Sequence, residues 1–192
     1  RQRLIAARGI CFGIIISLLL MVAAWFAGPE LIKLVSTEGA YRDAGTQYFL
    51  VLILALPAFV MSFGLNGLLQ SQGDTVSMQR AQIAAFFANI ALNPVLVFGI
   101  PGIWDGIGFN GIAVSTVLSQ TGVMVYVAFR LMQTELMDGV TGSCFRPKKS
   151  TYIDITKQML PVTMTMFVMM SAGFIVQFYL KSFGTAAVAA YG

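Results

Sequence analysis

Histidine is absent from this 192-residue chain, and charged residues make up only 10% of it. Soluble domains usually carry about 25% charged residues, so a chain this poor in charge could not cover a water-exposed surface. Only two cysteines occur, Cys11 in an apolar run and Cys144 in a basic loop, so neither a disulfide nor a metal site is predicted. Hydrophobic residues reach 57%. This composition predicts an all-α integral membrane protein.

Acidic groups are also missing where membrane chemistry would need them. All eight Asp and Glu residues lie in predicted loops or at the ends of predicted helices: Glu30, Glu38, Asp43, Asp74, Asp105, Glu135, Asp138 and Asp154. The spans hold no paired carboxylate, no histidine and no acid-rich metal motif, so nothing supports a membrane-embedded hydrolase or transferase. The chain is therefore predicted not to be an enzyme, and no cofactor is expected.

Long apolar runs are what the chain has instead. A spanning helix needs about 20 mostly apolar residues. Four runs meet this requirement cleanly: 9–27, 47–69, 78–98 and 111–131. A fifth, 155–183, is long enough that tilt or an interfacial first turn is expected, and 184–192 is predicted to start a sixth helix. Transmembrane β-strands would alternate in polarity over about 10 residues, and these runs do not.

The basic residues fix an orientation. If residue 1 is cytoplasmic, nine of the twelve lie inside: Arg1, Arg3, Arg8, Arg80, Arg130, Arg146, Lys148, Lys149 and Lys157. Three lie outside: Lys33, Arg42 and Lys181. The positive-inside rule expects this asymmetry, and a miscounted span would destroy it. Topology therefore explains the net charge of +4 better than nucleic-acid binding does. A multi-pass protein of the plasma membrane (the bacterial inner membrane) is predicted, with lipid as a partner and no nucleic acid.

The polar groups within the spans are mainly amides and hydroxyls. Asn89 and Asn93 are four residues apart and so share one face of the third span. Pro94 follows them, and a helical proline leaves the carbonyl of Ile90 without its usual donor. Burying such groups in hydrocarbon is costly unless they are paired. The asparagines either bond neighbouring helices or line a polar cavity for a cation or substrate, and these two interpretations have equal weight.

Smaller polar and structural signals lie in the other spans. Thr116 and Gln120 form an i, i+4 polar pair on the fourth span, for which helix-to-helix bonding is the default role. Pro57, Pro94 and Pro161 are predicted to kink their helices. Kinks in transporters can serve as hinges, although a packing bend is the commoner role of any single proline.

Four motifs resemble the multidrug and toxic compound extrusion (MATE) transporters in order and spacing. They are Asn-Gly-Leu-Leu-Gln-Ser-Gln-Gly-Asp-Thr at 66–75, Asn-Ile-Ala-Leu-Asn-Pro at 89–94, Gly-Phe-Asn-Gly-Ile at 108–112 and Phe-Gly-Thr-Ala-Ala at 183–187. They look like, in turn, the loop after that family's fourth helix, its fifth helix, the start of its sixth, and the junction of its seventh and eighth. Together they extend over nearly the whole chain.

The resemblance implies that the five spans are helices three to seven of a two-lobed, twelve-helix transporter. Residues 1–131 would then belong to the N-terminal lobe, 132–152 would be the cytoplasmic inter-lobe loop, and 153–192 would begin the C-terminal lobe. The chain would be a fragment whose partners are the remaining helices. The family exports organic cations and other amphipathic compounds in exchange for H⁺ or Na⁺, so a small amphipathic or cationic substrate and one of these coupling ions are expected.

Site residues follow from the resemblance only where they align. The DinF-like branch uses an Asn and an Asp four apart on its fifth helix and a Thr on its sixth, together with an Asp on its first. Asn89 matches the Asn, Asn93 falls at the Asp, and Thr116 is the best match for the Thr, so these three are the predicted cation or substrate cavity. An amide at 93 can ligate a cation but cannot take a proton. The NorM-like branch has a Glu at a place near Met169, and its absence favours the DinF-like branch.

Two other functions fit a bundle of membrane helices. A flippase for lipid-linked sugars belongs to the same broad superfamily, but its cavity is expected to be cationic, and no Lys or Arg lies mid-span here. A non-transport scaffold subunit would have polar groups that all pair with each other and no cavity between the helices.

Overall fold

The computed structural model describes residues 2–35 and 39–184. Its six α-helices are α1 Gln2–Val35, α2 Ala40–Ile53, α3 Leu56–Ser71, α4 Ser77–Phe98, α5 Asn110–Met132 and α6 Lys149–Leu180. An antiparallel hairpin of two short strands, β1 Gly99–Ile100 and β2 Trp104–Asp105, separates α4 from α5. Short 3₁₀ turns lie at Gly142–Phe145 and Lys181–Phe183. The predicted start of a sixth span falls on residues 185–192, outside the described residues.

The helices confirm the membrane class predicted from composition. Four of them, α1, α4, α5 and α6, are each long and apolar enough to cross a bilayer. The consecutive helices α2 and α3 reach that length only together, with a bend of 43° between them. If this bent pair is one span, the chain crosses the membrane five times, as the sequence predicts.

The second predicted span, 47–69, is broken rather than continuous. Ile53 ends α2, and a turn follows in which Leu54 N donates to Val51 O at 3.1 Å and Ala55 N donates to Leu52 O at 2.9 Å. Pro57 lies in the first turn of α3, where its missing N–H costs no helical hydrogen bond. Pro57, which was predicted to kink a continuous helix, therefore lies just after a break between two helices.

The loop predicted at 99–110 contains the β1–β2 hairpin, which the sequence did not predict. Gly99 and Gly102 adopt φ of +80° and +77°, a region that favours glycine. Beyond the hairpin, Ile107 N donates to Leu96 O at 2.8 Å and Gly108 N donates to Val97 O at 3.2 Å. These bonds satisfy carbonyls at the end of α4 that have no partner within the helix.

The bounds near the C-terminal end also differ from the sequence prediction. The last helix begins at Lys149 rather than near residue 155, and it ends at Leu180 before a 3₁₀ turn. Because α5 ends at Met132, the connector predicted at 132–152 is non-helical over a shorter stretch, apart from its 3₁₀ turn. The division of the chain into two lobes stays a prediction.

The apolar core lies at the end of the bundle that is predicted to be cytoplasmic. Leu69, Val127 and Leu131 are almost completely buried there. They pack with side chains from α1, α3, α4, α5 and the segment after α5: Ala6, Met61, Leu65, Met78, Ala81, Val123 and Leu136. In a bilayer, close van der Waals packing rather than the hydrophobic effect holds such helices together. Helix α6 contributes no buried residue and packs mainly along α1.

Candidate cation or substrate site

Four polar side chains of α4 and α5 form one hydrogen-bonded group: Asn89, Asn93, Ser115 and Thr116, termed the amide cluster below. Asn93 Nδ2 donates to Asn89 Oδ1 at 3.0 Å, so the two amides share one helix face. Asn89 Nδ2 lies 3.2 Å from Ser115 Oγ and 3.5 Å from Thr116 Oγ1. Ser115 Oγ donates in turn to Asn93 Oδ1. The cluster therefore crosses from one helix to the other and returns.

A backbone carbonyl adds a fifth oxygen to the cluster. Ile112 O lies 2.8 Å from Ser115 Oγ and 3.0 Å from Thr116 Oγ1. The single hydroxyl hydrogen of Ser115 thus has two acceptors, Ile112 O and Asn93 Oδ1, and can serve only one of them fully at a time. The oxygens of the cluster consequently offer more acceptor lone pairs than the cluster has donor hydrogens.

A close approach of the two backbones positions the cluster. A Cβ atom at Gly111 would lie 2.7 Å from the carbonyl carbon of Leu96 and 2.8 Å from Val97 N, so only glycine fits there. One turn further along α5, Ser115 is fully buried against α4. Asn89 precedes the end of α4 at Phe98 by about 14 Å at 1.5 Å per residue. The cluster therefore lies inside the span rather than at its mouth.

The chemistry of the cluster suits a cation better than a proton. Its potential ligands are two amide oxygens, two hydroxyl oxygens and a carbonyl, and hard cations are bound by such oxygens. None of these groups changes charge near neutral pH, so the cluster can hold a cation but cannot carry a proton. Across residues 2–35 and 39–184, no set of three or more His, Cys, Asp or Glu side chains could hold a metal ion.

The predicted site residues meet, with one addition and one exception. Asn89, Asn93 and Thr116 come together, and Ser115 joins them although the sequence analysis did not select it. Its signal is Gly111 four residues earlier, because small residues one turn apart mark close helix packing. Gln120, for which the sequence analysis expected helix-to-helix bonding, is the exception, because its buried Oε1 has no hydrogen-bond partner among the described residues.

Pro94 and Pro161 interrupt neither of their helices. Pro94 lies inside α4, which continues to Phe98, and Pro161 lies inside α6, which continues to Leu180. The hinge roles of Pro57, Pro94 and Pro161 stay predictions.

A groove of about 490 Å³ runs between α4 and α5 beside the cluster. Its walls are small side chains with a few larger ones: Ala81, Ala84, Ala85, Ala88, Leu92, Leu118, Ser119, Gly122, Val123 and Tyr126, with Arg80 at one end. Ser119 Oγ is buried and has no hydrogen-bond partner among the described residues. The groove is therefore mostly apolar, with a single unsatisfied hydroxyl in its wall.

A second polar group joins the predicted cytoplasmic ends of α4 and α5. Asp74 Oδ2 accepts from Ser77 Oγ at 2.6 Å, and Asp74 Oδ1 accepts from Ser77 N at 2.9 Å. Arg130 of α5 donates to Asp74 Oδ2 at 3.2 Å and to Ser77 Oγ at 3.1 Å. These bonds, above all those from Ser77, lower the pKa of Asp74 to about 2. The carboxylate thus fixes the turn before α4 against the end of α5.

Comparison with known proteins finds a family match in the first part of the chain. A family model described as MatE matches residues 1–95, which include α1 to α3 and most of α4. Just under half of the chain is therefore similar to the MatE family. The match contains Asn89 and Asn93 and ends before Ser115 and Thr116 are reached. The half of the amide cluster on α4 thus lies within the MatE match.

The whole chain is similar to curated multidrug exporters. It is 21% identical over 192 residues to the multidrug export protein MepA of Staphylococcus saprophyticus, and to a MepA of Staphylococcus aureus to the same extent. In each case the alignment covers all of this chain and 42% of the relative. The chain therefore spans less than half the length of the curated relatives that it matches.

A solved structure supports the fold of this chain. The structure is described as the inward-facing conformation of a multidrug resistance MATE family transporter of the MOP superfamily. Superposition gives a TM-score of 0.69 at 22% sequence identity and covers 94% of this chain and 45% of the other. The arrangement of α1 to α6 is therefore a MATE-type arrangement.

Proposed function

We propose that these helices belong to a secondary active antiporter that exports drugs or organic cations across the bacterial inner membrane in exchange for H⁺ or Na⁺. The MepA relatives are named as multidrug exporters, and the similar structure is described as a multidrug resistance transporter. The orientation proposed from the basic residues places the start of α1 and the start of α6 on the cytoplasmic side.

The observation that carries this proposal is the amide cluster. Asn89, Asn93, Ser115 and Thr116 place several neutral oxygens inside a span, where polar groups commonly mark an ion or substrate pathway. A cation bound there would favour whichever state of the transporter presents these oxygens in the better geometry. The protein would then alternate between inward- and outward-facing states by rocking its lobes about a central cavity.

The chemistry of position 93 bears on the coupling ion and on the branch. Asn93 cannot lose a proton, so this cluster would contribute to coupling by ligating a cation such as Na⁺. The alignment of Asn89 and Thr116 supports a DinF-like assignment. Any proton-carrying group of the site would have to be a carboxylate elsewhere, because the cluster itself contains none.

The test is drug efflux in cells that express matched amounts of each variant of the complete protein. Asn89→Leu and Asn93→Leu remove the amide oxygens while roughly preserving side-chain volume. We expect each variant to lower the efflux rate by at least about tenfold, because each removes a polar partner of the bound charge. Thr121→Val is the matched control, because Thr121 bonds only the Val117 carbonyl of its own helix at 2.7 Å and faces away from the cluster.

The outcomes separate a transport site from helix packing. Unchanged efflux in both Asn variants would refute the site assignment. Reduced efflux that follows only from reduced protein stability would support the scaffold interpretation, in which the four side chains merely hold α4 against α5. Reduced efflux at unchanged stability, together with a weaker dependence on Na⁺ concentration, supports the proposed cation site.

A further inference from the structure

The start of α6 contains a basic pocket that the proposed transport function does not use. It is open, has a volume of about 560 Å³ and is lined by Pro147, Lys149, Tyr152, Ile153, Thr156 and Lys157. This volume is within the range of ligand-binding clefts, about 300–1,000 Å³. We propose that the basic pocket binds the headgroup of an anionic phospholipid, such as phosphatidylglycerol, from the cytoplasmic leaflet.

Helical spacing brings the two lysines to the same pocket. Lys149, Ile153 and Lys157 follow one another at intervals of four residues, so all three lie on one face of α6. Thr156 also lines the pocket, and its hydroxyl donates to Tyr152 O at 2.9 Å. Neither ammonium group has an ion-pair or hydrogen-bond partner among the described residues. Two unpaired ammonium groups at one cleft match a phosphodiester better than a neutral or cationic headgroup.

Contacts with α1 hold this part of α6 in place. The Phe12 and Tyr152 rings lie 5.0 Å apart at 58°. Arg8 Nη1 of α1 donates to Thr151 Oγ1 at 3.5 Å, which brings a third positive charge to the same end of the helix pair. The pocket wall is therefore positioned by α1 and not by α6 alone.

The same face of α6 continues into the span as an apolar surface. Leu160 and Met164 extend the row that begins with Ile153 and Lys157, and both are exposed. A lipid whose phosphate lies between the lysines would place an acyl chain along Leu160 and Met164. A basic cleft that leads into an apolar surface is the arrangement that suits a phospholipid, whereas free phosphate would use only the cleft.

The proposed orientation places this pocket at the appropriate membrane surface. Positive-inside topology puts Lys149 and Lys157 on the cytoplasmic side, where the leaflet carries anionic lipids. Attraction to such a surface is worth about fivefold in affinity for each lysine, so a specific site has to exceed what any basic loop provides.

The experiment therefore compares two variants that lose the same charge. Native mass spectrometry of the purified protein in detergent, with phosphatidylglycerol and phosphatidylcholine of identical acyl chains added in turn, measures the occupancy of each lipid. Lys149→Ala with Lys157→Ala empties the basic pocket of its cations. Arg146→Ala with Lys148→Ala removes two positive charges from the same connector but leaves every residue that lines the pocket.

We expect the unchanged protein and the Arg146/Lys148 variant to prefer phosphatidylglycerol, and the Lys149/Lys157 variant to bind it about thirtyfold more weakly. Replacing both pocket lysines by arginine should preserve the preference, which controls for a folding defect in the alanine pair. Equal losses in the two alanine pairs would overturn the proposal, because they would reveal diffuse charge attraction. Displacement of the lipid by excess inorganic phosphate would also overturn it. Since no efflux is measured, the result is independent of the transport proposal.

Discussion

The α4–α5 pair and α6 treat polar side chains in opposite ways. In the pair, the amide cluster links one helix to the other, and Ser115 at its centre is fully buried. In α6, three hydroxyls return to their own backbone: Thr156 to Tyr152 O at 2.9 Å, Thr165 to Pro161 O at 3.1 Å and Ser171 to Phe167 O at 2.7 Å. No residue of α6 is buried.

The difference shows what a polar residue means inside a span. A hydroxyl that bonds a carbonyl of its own helix is satisfied locally and places no demand on a neighbour. A side-chain amide has two donors and an acceptor and cannot be satisfied in this way, so it requires a second helix. Asn89 and Asn93 therefore specify a partner for α4, whereas these three hydroxyls of α6 specify none.

The largest expected effect comes from separating α4 and α5 by a single methyl group. Gly111→Ala would place Cβ against the backbone at Leu96 and Val97, where nothing flexible can move aside. We expect a loss of about 3 kcal/mol in unfolding free energy, at the upper end for overpacking, measured by denaturant titration in micelles. Gly173→Ala in α6 is the matched control, since its Cβ would meet no atom within 4 Å. Equal stability of the two variants would show that the backbones do not touch.

A smaller effect is expected from removing the central hydroxyl. Ser115→Ala leaves Asn93 Oδ1 without its donor and Asn89 Nδ2 without one of its acceptors. Membrane hydrogen bonds contribute modestly, so the expected loss is about 1 kcal/mol. Ser171→Ala in α6 should change stability by less than about 0.5 kcal/mol, as surface substitutions do.

A double-mutant cycle makes this comparison sharper. If Ser115 acts through Asn93, combining Ser115→Ala with Asn93→Leu costs less than the sum of the two single changes. Strict additivity would mean that the short contact between them contributes nothing to stability, and the contrast with α6 would then disappear.

The smallest effect concerns acid at the predicted cytoplasmic end. Asp74 has a folded pKa of about 2, below its ordinary value of 3.8, so its carboxylate stabilises the fold fully above about pH 4. This contribution is lost as the pH falls towards 2. Asp74→Asn should therefore flatten the decline of melting temperature between pH 4 and 2.

Two further variants identify which bonds hold the Asp74 carboxylate. Ser77→Ala removes the strongest of them and should weaken the acid dependence most, whereas Arg130→Gln leaves both Ser77 bonds and should retain most of it. An acid profile that Asp74→Asn leaves unchanged would contradict the assignment of the transition to this group.

The spans could be predicted from the sequence because the thickness of a bilayer requires about 20 mostly apolar residues in each, and apolar runs of that length are visible in the sequence. The break between Ile53 and Leu56 was not predicted because apolar residues continue through it. Pro57 did not reveal it either, since a proline is typical both of a kink within a helix and of the first turn of a new one. The β1–β2 hairpin was missed because its strands have two residues each, too few for any period to show.

The members of the candidate site that were predicted are those whose residue type is informative by itself. An asparagine in a span is unusual enough to stand out, whereas a serine is common there and usually bonds its own helix, as Ser171 does. Only the contact of Gly111 with Leu96 distinguishes Ser115 from that majority, and this contact joins positions whose proximity depends on how two helices pack. The pairing of Asp74 with Arg130, 56 residues away, was beyond reach for the same reason.

The hydrogen bond from Ser115 to Asn93 sets a threshold for any ion that uses these oxygens. A cation that approaches Asn93 Oδ1 from the side of Ser115 meets the hydroxyl hydrogen, so binding on that side requires the hydrogen to turn towards Ile112 O, which already lies 2.8 Å away. The ion and the Ser115 hydroxyl hydrogen thus compete for one lone pair of Asn93 Oδ1. When the ion binds, the hydrogen can bond Ile112 O instead. Such a competitor weakens ion affinity while keeping exchange rapid, and a carrier needs both properties because it must release its ion in every cycle.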